Sequence, residues 1–168
     1  TDIPKYLEMY RNWSTPGEKK APMVAICYVS AYGFTKSLAL AIEQGIRQAG
    51  VEDVRLFDLV TDDHAQAAAA VSASDGFLLG SPTLVGDALP PVYEMLLGLN
   101  PVIHRGKFAG AFGSYAWSGE AVHNLIERMR SLKLQIPVPG MRVKLKPPQE
   151  DLEHAVEFGS EFAAALLQ

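Results

Sequence analysis

The chain has one cysteine, Cys27, in 168 residues, which excludes a disulfide framework and suits a reducing cytoplasm. Cys27 lies in an apolar run and reads as a small buried hydrophobe. Positive charge is scarce: 15 Lys and Arg face 19 Asp and Glu, a net charge of −4. No basic run restores a local positive field, so nucleic acid is set aside as a partner. No apolar run approaches the ~20 residues of a membrane span, and the N-terminus lacks the basic-then-apolar pattern of a signal peptide. The Gly-x-Gly-x-x-Gly of a dinucleotide fold is missing, because Gly33 is the one glycine after the first strand. A phospho-acceptor domain needs acidic residues after its first and third strands, where this chain has Ser30 and Ser81. The histidines His64, His104, His123 and His154 are scattered singly, without the His and carboxylate clustering of a metal site.

Against these absences, a hydrophobic content of 48% suffices for one domain with a full core and a short appendage. The chain opens at Thr1 without an initiator methionine and closes on Leu166-Leu167-Gln168 inside a helical pattern. It reads as a piece of something longer. Residues 1–20 read as a linker with a short amphipathic helix, since Ile3, Tyr6, Leu7, Tyr10 and Trp13 share one helical face. Ser14-Thr15-Pro16-Gly17 then breaks the pattern.

From residue 21 onward strands and helices alternate. Met23 to Val29 is a continuous apolar run, as expected of a strand buried on both faces. Leu38, Ile42 and Ile46 stripe the helix that follows. Asp53 to Leu59 alternates in part and reads as a strand near a sheet edge. Thr61-Asp62-Asp63 caps an Ala-rich helix through Val71, Gly76 to Gly80 is the next buried strand, and Pro90-Pro91 opens a helix with Val92, Leu96 and Leu99 inward. Phe108 to Gly113 is a strand, followed by a helix with Val122, Leu125, Ile126, Met129 and Leu132 on one face. A last strand lies near Met141 to Leu145, and Leu152, Val156, Phe162 and Leu166 stripe the closing helix. Five βα units with right-handed crossovers give a doubly wound α/β parallel sheet covered on both faces.

In such a sheet ligands bind beyond the carboxyl ends of the strands. Three loops stand out there. In Ser30-Ala31-Tyr32-Gly33-Phe34-Thr35, two hydroxyls, a glycine and the free N–H groups of a helix start make a seat for phosphate. The competing reading is a turn that merely caps its helix. Ser81-Pro82-Thr83-Leu84-Val85-Gly86 is a Pro-fixed turn whose backbone groups suit the polar edge of a ring system. Ser114-Tyr115-Ala116-Trp117-Ser118-Gly119 brings two aromatics to the rim, better suited to stacking on a flat ligand than to stability.

These three stretches, above all Ala111 to Ala121, resemble the FMN loops of the flavodoxin-like domain of flavodiiron proteins. Tyr10-Arg11-Asn12-Trp13-Ser14 resembles the segment that joins that family's metallo-β-lactamase-like diiron domain to this one, and Pro147 to Glu153 resembles the start of its last helix. Phe34 departs from the family, which more often has a small polar residue there. The resemblance implies a flavodoxin-like sheet with strand order 2-1-3-4-5 and residues 21–168 as the FMN-binding domain. It implies non-covalent FMN with its phosphate on Ser30 to Thr35, and its ring between Thr83 to Gly86 and Ser114 to Gly119. It further implies electron transfer from rubredoxin or a flavin reductase to a diiron site outside this chain, for oxygen or nitric oxide reduction, in a homodimer of the full-length protein. A free-standing NAD(P)H:quinone reductase on the same scaffold and a non-redox docking module are the alternatives.

Overall fold

The computed structural model describes residues 21–168, so the expected linker and its aromatic stripe lie outside the described residues. Strands β1 (Met23–Tyr28), β2 (Asp53–Asp58), β3 (Gly76–Gly80), β4 (Phe108–Tyr115) and β5 (Met141–Lys144) form one sheet in the order β2-β1-β3-β4-β5. Every pairing is parallel. The described helices are α1 (Phe34–Gln48), α2 (His64–Ala73), α3 (Pro90–Leu97), α4 (Pro101–His104), α5 (Glu120–Ser131) and α6 (Gln149–Leu167). The short α4, opened by Pro101 and capped by Asn100, carries too little periodicity to be read from sequence.

Strand geometry sends successive side chains to opposite faces, and β1 supplies both halves of the core. Val24, Ile26 and Tyr28 join Leu38, Ile42, Phe112 and Phe162 under α1 and α6. Ala25 and Cys27 join Phe77, Leu79, Leu96, Leu125 and Met129 under α2, α3 and α5. Burying each large side chain fully stabilises the fold by about 1.5–3 kcal/mol. β2 pairs with β1 alone and alternates exposed and buried at its start, as an edge strand should. Burial in the apolar layer pushes the Cys27 thiol up to about 12, leaving it protonated and inert.

The stripe of the last helix differs from its sequence reading. Ala155, Phe158, Gly159, Phe162 and Ala163 are the buried residues of α6, whereas Leu152 and Leu166 pack at the margin and Val156 is half-buried. Close approach of the helices is the reason. A Cβ on Gly45 would overlap the Val156 carbonyl, and one on Gly159 would overlap the Ile42 carbonyl. Small residues therefore mark the contact line, and the larger apolar side chains lie beside it.

The β2–α2 corner is held by His64, whose Nε2 lies 2.6 Å from the Leu59 carbonyl oxygen and Nδ1 3.0 Å from Glu94 Oε2. Two acceptors on one ring favour the imidazolium, so the Leu59 carbonyl and Glu94 raise the His64 pKa. Desolvation and Lys107 lower that of His104. An NMR titration is expected to show His64 charging at higher pH than His104, on either side of about 6.5. His64 thus contributes stability that is full below about 6.5 and lost as pH rises through its raised value. His64→Gln should therefore be most destabilising at acid pH, and a difference from wild type that grows toward alkaline pH would contradict the assignment.

Candidate functional site

The carboxyl ends of β1, β3 and β4 bring the three stretches together. A cleft of ≈ 150 Å³ is lined by Tyr32 and Phe34 from the first, Pro82, Thr83 and Leu84 from the second, and Ser114, Tyr115 and Ala116 from the third. Leu145, just past β5, completes it. At well under the roughly 300 Å³ of an enclosed ligand pocket, this cleft admits part of a ring system and leaves the remainder on the rim. That rim is apolar and exposed: Tyr32 is 80% accessible, Trp117 98% and Val85 105%.

The first stretch is both loop and helix, since Phe34 and Thr35 already belong to the first turn of α1. Gly33 precedes them with φ 83°, a left-handed conformation that glycine adopts without a Cβ penalty. Gly33 caps α1 without a side-chain hydrogen bond. Ser30 takes over part of that task, its Oγ accepting the Lys36 N–H at 3.3 Å. The N–H groups of residues 31–35 make no hydrogen bond among the described residues. Partnerless donors at a helix start, on a glycine turn, form an anion cradle. Ser30 thus caps the helix through one donor and leaves the N–H groups of residues 31–35 open.

In the second stretch, Ser81 shapes the turn from inside. It is fully buried, its hydroxyl donates to the Pro82 carbonyl at 2.8 Å and accepts the Leu89 N–H at 2.9 Å. Its polar atom is spent on shaping the turn and does not face the cleft. Thr83 links stretches: its N–H donates to the Ser114 carbonyl at 2.9 Å, and its Oγ1 accepts the Ala121 N–H at 3.2 Å. Leu84 and Asp87 exchange two backbone hydrogen bonds around Val85 and Gly86, whose φ values are 53° and 73°. Two successive positive φ values are the signature of a type I′ turn. Asp87 Oδ1 secures it by accepting from Tyr93 Oη, Asn124 Nδ2 and the Ala88 N–H. Those hydrogen bonds, Tyr93 first, hold the Asp87 carboxyl below its usual range.

The third stretch is shorter as a loop than its sequence suggested. β4 continues through Ser114 and Tyr115 because both pair with β5, opposite Val143 and Lys144. Ser114 is buried and Tyr115 half-buried, while Ala116, Trp117 and Ser118 are exposed and Gly119 caps α5. Arg142 also reaches this loop, its side chain lying against Gly119. A hydrogen bond from Ser118, then its own backbone N–H and last the charge of Arg142, hold the Glu120 carboxyl down. Leu145 and Arg142 were missed from sequence. A single apolar residue and a single cation on a short strand carry no local signal, and the sheet order alone brings them beside β4.

No helix among the described residues is long and apolar enough to cross a membrane. Among them, no three His, Cys, Asp or Glu side chains converge as a metal site.

Residues 26–159 match the flavodoxin family model. The chain is 44% identical over 138 residues to a type A flavoprotein of Rhodobacter capsulatus, covering 82% of this chain and 32% of that protein. It is 34% identical over 160 residues to the flavo-diiron protein FprA2 of Clostridium acetobutylicum, covering 95% and 40%. The rubredoxin oxygen:oxidoreductase of Desulfovibrio gigas superposes with a TM-score of 0.81 at 27% identity, over 98% of this chain and 39% of that one. The chain thus spans about a third of the length of the curated relatives it matches. FMN is the cofactor of flavodoxins and flavodiiron proteins, and the donor set fits it: an anion cradle at one end and an apolar, partly aromatic cleft at the other. The chain therefore belongs to the flavodoxin family, as an FMN domain of the kind found in type A flavoproteins and flavodiiron proteins.

Proposed function

We propose that this chain is the electron-transfer domain of a flavodiiron oxidoreductase. It would take electrons from a donor such as rubredoxin or a flavin reductase and pass them to a diiron site in a metallo-β-lactamase-like domain outside residues 1–168. The reading extends to residues 1–20 as the interdomain linker, to a homodimeric parent protein in the cytoplasm, and to oxygen or nitric oxide as the final acceptor. One observation carries it: three strand-end stretches converge on a cleft whose one flank is a partnerless N–H cradle and whose rim is exposed and apolar.

Residues 31–35, with the Ser30 and Thr35 hydroxyls, would hold the phosphate through directed N–H and O–H groups. Thr83 to Gly86 and Tyr115 to Gly119 would flank the ring, with Ser114 behind them. FMN supplies one- and two-electron redox chemistry when bound, and the chain tunes it through stacking, backbone donors and local charge. Tyr32, Trp117, Leu84 and Leu145 would shield the ring edges from water and leave one edge open to a partner.

The purified chain is expected to be yellow or to turn so with added FMN. Trp117 fluorescence should fall on binding, and Trp117→Ala should weaken FMN by about 1 kcal/mol. After dithionite reduction, the FMN-loaded chain mixed with oxygen should release hydrogen peroxide, so that catalase returns part of the oxygen consumed. Rapid oxygen consumption without peroxide or superoxide would contradict the electron-carrier reading. Steady NAD(P)H turnover with a quinone would replace it by a reductase.

A further inference from the structure

We infer that Ser114, although it lines the cleft, is a positioning residue for the phosphate end of the cofactor, acting through Thr35. The inference rests on the FMN reading above. Ser114 is 6% exposed and Thr35 1%, and their hydroxyl oxygens lie 3.1 Å apart. They come from positions 79 residues apart, one near the end of β4 and the other in the first turn of α1. The Ser114 main chain is held from a third direction, since its carbonyl accepts the Thr83 N–H. One residue therefore ties all three cofactor stretches to each other.

Fold stability does not require this pair. Two buried hydroxyls that bond only each other gain little over two apolar groups of the same shape, and neither hydroxyl makes another hydrogen bond among the described residues. What the pair adds is a directed proton. Two touching hydroxyls own two protons and place one between their oxygens. With Ser114 as donor, the Thr35 proton is free to turn toward the cradle formed by residues 31–35. With Thr35 as donor, that proton is spent inward. An anion above the turn selects the first arrangement, because a run from Ser114 through Thr35 to an anionic oxygen is polarised along its length. A flavin without phosphate exerts no such selection. Ser114 also holds Thr35, and with it the first turn of α1, at the height that presents its N–H groups.

The test is titration of the apoprotein with FMN and with riboflavin, which lacks the phosphate. Ser114→Ala is expected to weaken FMN about tenfold and change riboflavin affinity by less than about twofold. Thr35→Val should reproduce that selective loss, and adding Ser114→Ala to it should cost nothing further, as expected of coupled residues. Equal losses for the two flavins would overturn the inference and make Ser114 a ring contact. Unchanged FMN affinity, or additive losses in the double variant, would overturn it too. Should Ser114→Ala lose its cooperative thermal transition, Ser114→Cys, which keeps a weak donor of similar size, carries the same comparison. A wild-type chain that binds neither flavin would defeat the FMN reading itself, and this inference with it.

Discussion

Gly45→Ala and Gly159→Ala are each expected to destabilise the domain by about 3 kcal/mol, lowering its thermal midpoint by roughly 10 °C. Propensity argues the other way, since alanine inside a helix is favoured over glycine by about 1 kcal/mol. Packing overrides it. A Cβ at Gly45 meets the Val156 carbonyl and one at Gly159 meets the Ile42 carbonyl, and a backbone atom has no rotamer to retreat into. The helices must separate, opening a gap above Ile42 and Phe162, which are fully buried. Gly98→Ala is the internal control. It lies at φ −77° with nothing near its prospective Cβ, so it should be neutral or stabilise by about 0.4–1 kcal/mol. Thermal melts of the three variants decide the matter, and equal behaviour of Gly45→Ala and Gly98→Ala would show that α1 and α6 do not approach this closely.

Gly33→Val is expected to weaken FMN about thirtyfold, and Lys36→Ala by no more than about threefold. Space is not the obstacle at Gly33, because nothing lies within 4 Å of the position a Cβ would take. Conformation is. With φ at 83°, a β-branched side chain costs of order 1–3 kcal/mol, and the turn escapes that cost only by giving up the shape that aims its N–H groups. Gly33→Asn should keep most of the affinity, since asparagine tolerates the left-handed region. Lys36 uses its backbone N–H on Ser30 and has an exposed side chain, so its ammonium meets an anion through water. Titration of the three apoproteins with FMN is the measurement. A larger loss for Lys36→Ala would mean that the phosphate is held by charge and not by backbone shape.

The sheet was legible because its strands announce themselves twice. Met23 to Tyr28 is apolar without interruption, and the helices between strands carry their own 3.6-residue periodicity. The cradle was legible for a related reason: Ser, Gly and Thr at a strand-to-helix junction have few uses. Ser81 and Ser114 were harder, because a hydroxyl in sequence does not say whether it faces a ligand or its own chain. Ser81 is consumed by Leu89 and Pro82, and Ser114 belongs to a strand whose end is decided by pairing with β5. The offset stripe of α6 was misread because large apolar residues look like a contact line, whereas two helices that touch backbone to backbone put their smallest residues there.

The sulfur atoms of the described residues have a consequence for a domain that would work beside oxygen. Cys27 is sealed in the sheet with its thiol pushed up to about 12, so the thiolate that would attack peroxide is scarcely populated. Met23, Met95 and Met129 are buried, at 7%, 2% and 0% exposure. Met141, at the start of the edge strand β5, is the methionine among them left partly open to water. Sulfur oxidation within residues 21–168 is therefore directed first to Met141, at the margin of the sheet. Flavin turnover that leaks peroxide would wear the molecule at its edge before it touched the core.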